Sequence, residues 1–282
     1  SGAGTTTVKN AFNDIFRRED ITPAVIEGDS FHAYEREEMK QRMAEAEEQG
    51  RNFSHFGPEA NHFDKLENLF KTYGETGSGQ RRFYIHSEDE ATEHNARLGI
   101  DKKPGQFTPW EDLPESDLLF YEGLHGGVAD PDAGVDVAQW TDLLVGVVPA
   151  VNLEWIQKIS RDTAERGYQP EQVTHTILRR MPDYVHYLTP QFSRTHINFQ
   201  RVPLVDTSNP FIARDIPTPD ESMVVIHFNA YRDQDWTYLL HMVPGSFMSR
   251  PTTWVVPGPK MRFAMELVLT PIIHNLMGKG TK

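Results

Sequence analysis

Ser1-Gly2-Ala3-Gly4-Thr5-Thr6-Thr7 runs directly into Val8, Ala11, Phe12, Ile15 and Phe16. Their spacing by three and four marks one apolar face of a helix. A glycine-rich turn that ends at a helix N-terminus cradles phosphates, because unpaired backbone N–H groups and the helix dipole both face the anion. In the pattern G-x-x-x-x-G-K-[ST], Gly4 takes the last glycine and Thr6 the hydroxyl on the magnesium side, while Thr5 stands where lysine is usual. The first glycine of that pattern would fall upstream of Ser1, after a buried strand. The expectation is therefore an N-terminally truncated chain, lacking its first strand and half its phosphate loop, and inactive or poorly folded in this form.

Strand and helix patterns alternate from there onward. Ala24-Val25-Ile26 reads as a buried strand that ends at Glu27-Gly28-Asp29. Glu35 to Gln49 reads as an exposed polar helix, and Phe63, Leu66, Leu69 and Phe70 mark an amphipathic one closed by the turn-rich stretch Gly74 to Gly79. Arg82 to His86 reads as an edge strand, Leu118 to Tyr121 as a central strand and Leu143 to Val151 as a third. Helices are expected from Leu153 to Arg166 and from Glu171 to Tyr187. Strands follow at Asn198 to Val205, Met223 to Phe228 and Thr253 to Val256, then a closing helix from Lys260 to Met277. This order predicts an α/β fold of the P-loop nucleoside triphosphate hydrolase type. Its sheet is mixed and mostly parallel, its helices lie on both faces, and the first strand is missing. A single domain over residues 1–282 is expected, with a lid segment around 158–180.

Composition narrows the function. The chain has 282 residues, 41 acidic against 28 basic, for a net charge of −13, and no cysteine. Such acidity disfavours general binding to nucleic acid or anionic membrane. Absent cysteine removes disulfides, thiolate metal sites and thiol nucleophiles. No apolar stretch approaches a membrane span and no signal peptide opens the chain, so a cytoplasmic location is expected.

Ligands of α/β sheets sit beyond the carboxyl ends of strands. Asp29 and Glu122 fall at such ends, and Asp162 lies in the helix after the third strand. Phosphoryl transfer to an alcohol needs a base for the hydroxyl and oxygen ligands for Mg²⁺, and these three carboxylates suit those tasks. Lys158, Arg161, Arg166, Arg179 and Arg180 outnumber Asp162, Glu165 and Glu171, which leaves a basic strip in an acidic chain. Ion pairs within a helix are one use of that strip. Arginine forks gripping phosphate oxygens are the other.

Lys158-Ile159-Ser160-Arg161-Asp162, Arg166-Gly167 and Glu171 resemble the phosphoribulokinase signature K-[LIVM]-x-R-D-x-x-x-R-G-x-[ST]-x-E, with Gln169 at the Ser/Thr position. Glu27-Gly28-Asp29-Ser30-Phe31-His32 with Arg36, Phe53-Ser54-His55-Phe56, Tyr73 to Gly77, Phe120 to Gly126 and Asp206 to Arg214 resemble that family too. The likeness is to the version found in autotrophic proteobacteria, whose phosphate loop also lacks lysine.

The resemblance implies transfer of the γ-phosphoryl of ATP to the 1-hydroxyl of ribulose 5-phosphate, giving ribulose 1,5-bisphosphate for the Calvin cycle. It implies Asp29 as general base, and Gly2, Ala3, Gly4, Thr5, Thr6 and Thr7 as the ATP loop. Thr6, Glu122 and Asp162 would organise Mg²⁺-ATP, and Lys158, Arg161 and Arg166 would neutralise the moving phosphates. His32 and Arg36 would hold the sugar phosphate, with metal ligation as the alternative for His32. Tyr84 and His86 would line the sugar site or serve as core. The resemblance also implies a homo-oligomer, typically an octamer, activated by NADH and inhibited by AMP. Arg18, His227 and Arg250 map to its effector site, with His227 where the family has arginine. Arg179 and Arg180 would relay effector state or form a helix-surface pair. Uridine or pantothenate kinase and a non-catalytic nucleotide sensor are the rival readings.

Overall fold

The computed structural model describes residues 5–164, 167–212 and 215–279. In chain order the first elements are α1 (Thr5–Arg18), β1 (Pro23–Glu27), α2 (Arg36–Glu48), α3 (Phe63–Thr76), β2 (Gln80–Arg81) and α4 (Glu88–Leu98). Next come β3 (Glu111–Asp112), β4 (Leu118–Glu122), β5 (Ala129–Asp130), β6 (Val135–Asp136), β7 (Val145–Val148), α5 (Val151–Ala164) and α6 (Pro170–Asp183). The remainder is β8 (Ile197–Pro203), β9 (Ser222–Phe228), α7 (Trp236–Met242), β10 (Phe247–Arg250), β11 (Thr253–Pro257) and α8 (Met261–Lys279). They gather into two compact units, one of residues 1–20, 142–181 and 192–282, the other of residues 21–141 and 182–191.

The first unit is built on a mixed five-stranded sheet in the order β10-β11-β9-β8-β7. Strands β7 and β8 run parallel, joined by the α5–α6 crossover, whereas β8, β9, β11 and β10 pair antiparallel. In β9, Ser222, Val224, Ile226 and Phe228 are buried and the residues between them partly exposed, the alternation of a strand with one face on the core. In β11, Thr253 to Val256 are all buried, so this strand is covered on both faces. Helix α8 lays Ala264, Met265, Val268, Leu269, Ile272 and Ile273 inward. Helix α1 packs on α8, and its own Val8, Ala11, Phe12, Ile15 and Phe16 are buried. The apolar spacing that opened the sequence is thus a core-facing stripe.

The second unit centres on the parallel pair β1–β4, in register from Pro23↔Leu118 to Glu27↔Glu122. Ile26, Phe31, Phe63, Leu66, Leu69, Phe70, Val128, Val135 and Val137 form its core, with Trp110 and Tyr121 packed against it. Helix α3 supplies four of these, and Gly77 stops it in the left-handed conformation (φ 69°). Helix α2 buries only Met39 and Ala46, and spends its charges on the pairs Glu37–Lys40 and Glu38–Arg42, a solvated helix as expected.

The strand expected over Arg82 to His86 is absent. Pairing with β3 stops at Arg81, and beyond it Tyr84 makes one isolated bridge to Phe107. The cause is side-chain chemistry: Arg82 turns inward to bind main-chain carbonyls, and Phe83 N–H donates to the Thr108 hydroxyl.

Candidate active site

Strands β1 and β4 end side by side at Glu27 and Glu122, and the chain leaves β1 through a single 3₁₀ turn, Gly28–Phe31. Two glycines make this exit possible. A Cβ on Gly28 would sit 2.7 Å from the Gly123 Cα and 2.7 Å from the Tyr121 hydroxyl, and a Cβ on Gly123 would meet the same hydroxyl closer still. The Tyr121 hydroxyl accepts from His125 N–H (3.3 Å). Burial raises its pKa, so it remains a neutral post under the turn.

That turn presents Asp29. Its half-exposed carboxylate lies 3.4 Å from His32 Nε2 and 3.7 Å from His86 Nε2. Burial pushes its pKa up. Hydrogen bonding with His32, and the positive charge that His32, His86 and His55 carry when protonated, outweigh that and lower it to about 2. The Tyr84 ring stands edge-on to both histidines, with centroids 6.2 Å from His32 and 5.0 Å from His86. The Arg36 guanidinium lies 5.9 Å from the same ring. Asp29, His32, Arg36, Tyr84 and His86, five of the residues singled out from the sequence, therefore form one cluster. It offers a carboxylate flanked by imidazoles, with a guanidinium near the tyrosine ring, a setting for a hydroxyl that must lose a proton and a phosphate that must be held.

Three contributors were not singled out. Arg82 donates from Nε to Ser30 O (2.8 Å) and from Nη2 to His32 O (2.7 Å), clamping the turn on both sides of Phe31. Its guanidinium stacks 3.6 Å from the Phe107 centroid and 4.8 Å from that of Trp110. Burial lowers its pKa to about 10, only partly countered by Glu35. Asn61 is buried and hydrogen-bonds His32 Nδ1 (2.8 Å). His125 is buried against Phe63 with Nε2 at 3.1 Å from Phe56 O, and burial, then the charge of His32, lower its pKa to about 4. Arg82 and Asn61 carry no motif; only contacts between distant segments reveal them.

In the first unit, α5 carries the expected lysine, arginine and aspartate. Asp162 is buried and accepts from Lys158 Nζ at Oδ2 (2.6 Å) and from Arg161 Nε and Nη2 at Oδ1 (3.0 and 2.9 Å). Burial raises the Asp162 pKa, but these two cations outweigh it and the net shift is downward. The carboxylate thus fixes where both cations sit. Arg166 lies outside the described residues, as do Gly2, Ala3, Gly4 and the side chains of Thr5 and Thr6; Thr7 lies in the first turn of α1.

The residues expected at an effector site fall on several elements of this unit. His227 on β9 and Arg250 on β10 each stand opposite Thr253 of β11, and His227 Nδ1 hydrogen-bonds its hydroxyl (2.9 Å). Arg18 pairs with Glu266 of α8 (2.8 Å), while Arg179 and Arg180 sit on α6. Among the described residues no group of three or more histidine or acidic side chains could hold a metal ion, and no helix is long and apolar enough to cross a membrane.

In the second unit, a parallel strand pair ending in acidic residues, with a carboxylate poised for a hydroxyl just beyond it, suits a kinase that phosphorylates an alcohol. Comparison makes this specific. The phosphoribulokinase / uridine kinase family profile matches residues 1–208. Over 279 residues the chain is 61% identical to the chromosomal phosphoribulokinase of Cupriavidus necator, covering 98% of this chain and 93% of that one. It is 58% identical, with the same coverage, to the phosphoribulokinase of Nitrobacter vulgaris. The solved phosphoribulokinase from Rhodobacter spheroides superposes with a TM-score of 0.88 at 52% identity, covering 99% of this chain and 95% of that chain. The chain belongs to the phosphoribulokinase / uridine kinase family and is a kinase, of the type found in proteobacteria.

Proposed function

We infer that the chain transfers the γ-phosphoryl of ATP to the 1-hydroxyl of D-ribulose 5-phosphate, giving ribulose 1,5-bisphosphate in the Calvin cycle, with Asp29 as general base. The carrying observation is the cluster at the carboxyl end of β1, where Asp29 stands within 3.4 Å of His32 and 3.7 Å of His86. Asp29 orients the hydroxyl and takes its proton late, as oxygen–phosphorus bonding develops. A weakly basic carboxylate suffices because phosphoryl transfer passes through a loose transition state. His32 and Arg36 hold the sugar phosphate, and Tyr84 and His86 shape the sugar site.

ATP sits on residues 2–7 as co-substrate. Lys158, Arg161 and Arg166 neutralise the transferring phosphate, and the segment around 158–180 serves as the lid of a single catalytic domain. Thr6, Glu122 and Asp162, the last held in place by Lys158 and Arg161, would organise Mg²⁺. When bound, it would neutralise charge between the β- and γ-phosphates. The working form is a cytoplasmic homo-oligomer, an octamer, that binds neither nucleic acid nor membrane. NADH and AMP act through Arg18, Arg179, Arg180, His227 and Arg250.

Asp29→Asn tests the central assignment. It should lower kcat by at least about 100-fold while leaving the KM for ATP within about twofold. Near-normal kcat would remove Asp29 from the base role.

A further inference from the structure

Asn61 settles a question about His32 that the ring alone leaves open. Its side-chain N–H₂ donates one hydrogen to His55 O (3.0 Å) and the other to Gly57 O (2.8 Å). Both donors are therefore committed, the amide orientation is fixed, and the oxygen that faces His32 is an acceptor. Oδ1 lies 2.8 Å from His32 Nδ1, so Nδ1 must carry a hydrogen. An antiparallel bridge between His32 and Asn61 and the bond from His62 N–H to Phe31 O (2.9 Å) lock the two backbones together. Only Nε2 is left to gain or lose a proton, and Nε2 is the atom 3.4 Å from Asp29.

We propose that Asn61 is a positioning residue that holds His32 in the Nδ1–H tautomer, so that His32 Nε2 receives the proton Asp29 takes from the substrate hydroxyl. The inference rests on Asp29 as the base. As the hydroxyl oxygen bonds to the γ-phosphorus and the bond from that phosphorus to the ADP oxygen breaks, the O–H proton passes to Asp29. It then moves to the Nε2 lone pair, and water later removes it. Asp29 returns to its ionised form for the next turnover. The opposite tautomer would place an N–H against Asp29 at all times, so the proton could not pass to His32. Around His32 the His55 ring lies tilted at 4.9 Å, Tyr84 presents its ring edge, Arg82 binds the His32 carbonyl, and buried His125 faces Phe56 O. His86 lies on the far oxygen of Asp29.

The direct test is ¹⁵N NMR of the histidine rings in the wild-type full chain at about pH 9, where an ordinary imidazole is neutral, with the His32 signals assigned by their loss in His32→Gln. A protonated Nδ1 and an unprotonated Nε2 are expected; a protonated Nε2 overturns the proposal. This measurement needs no variant at position 61 to fold. Two substitutions supply the kinetic readout. Asn61→Asp keeps an acceptor at Nδ1 and should retain kcat within about threefold, with the acid limb of its pH profile moved upward because a carboxylate makes Nε2 more basic. Asn61→Leu removes the acceptor and should lower kcat by at least about tenfold with the KM for ATP within about twofold. Equal losses in both variants with unmoved pH profiles would reduce Asn61 to a structural role and overturn the proposal. Failure of the base assignment is distinguishable, since it shows as retained kcat in Asp29→Asn.

Discussion

Single side chains decide whether Asp29 stands where it can work. Arg82 commits a half-buried guanidinium to two carbonyls of the turn and to two aromatic faces. Lysine lacks both the planar fork and the stacking surface. Arg82→Lys should therefore lower kcat about tenfold, and an unchanged kcat in a variant with the wild-type circular dichroism spectrum would separate the turn from catalysis. Gly123→Ala should cost about 1–3 kcal/mol in urea denaturation through its clash with the Tyr121 hydroxyl. Adding Tyr121→Phe should recover part of that loss, because the phenyl ring lacks the clashing oxygen; no recovery would place the clash elsewhere. Asp29, His32 and Arg36 were legible in the sequence because they sit inside one short motif, whereas Tyr84 and His86 came only from what the resemblance implies. Asn61 and Arg82 were not legible, because they act on a turn that lies 29 to 52 residues away along the chain.

At the scale of elements, periodicity located α3, the charge run located the solvated α2, and α4 was missed. Helix α3 shows four core residues at helical spacing, whereas α4 buries only Ala91 and offers no stripe. What forms α4 is a cap: Ser87 Oγ accepts from Glu90 N–H (3.3 Å) and Glu90 Oε2 accepts from His86 N–H (2.7 Å). The Ser87-x-x-Glu90 spacing was the available signal. Ser87→Ala should destabilise the chain by about 1 kcal/mol, read from its urea midpoint. It should also disturb His86 and raise the KM for the sugar phosphate; a wild-type KM would uncouple the cap from the site. Likewise α5 reads as an amphipathic helix, yet the orientation of its lysine and arginine depends on a buried aspartate. The edge-strand reading of Arg82 to His86 failed because Arg82 is drawn inward by carbonyls that no local pattern reveals.

For the whole molecule, buried histidines set the response to acid. His125 has its pKa lowered to about 4, so between pH 6.5 and 4 the unfolded chain takes up a proton that the folded chain refuses. Stability is full above that window and lost as pH falls through it, by about 3 kcal/mol for a shift of this size. His62 and His196, also lowered by burial, add in the same direction. The Asp29 pKa, lowered to about 2, matters only below the ordinary carboxylate value of 3.8, where its contribution is lost as pH falls further. His125→Gln should flatten the fall in urea stability between about pH 7 and 4.5, and an unaltered slope would assign it to other groups. The α/β class and the kinase reading were legible from local motifs; the antiparallel half of the five-stranded sheet was less so, since strand direction depends on connections that residue spacing does not encode. The net charge of −13 argued against anionic partners, whereas the cluster around Asp29 and the cations on α5 supply local charge for phosphates. The central claim is the identity of the acceptor. An ATP-dependent assay of the protein with ribulose 5-phosphate, uridine and pantothenate as acceptors tests it most directly. Stoichiometric ADP release and formation of a bisphosphate from ribulose 5-phosphate alone is the expected result; phosphorylation of uridine or pantothenate in its place, or no turnover of any acceptor, would contradict it.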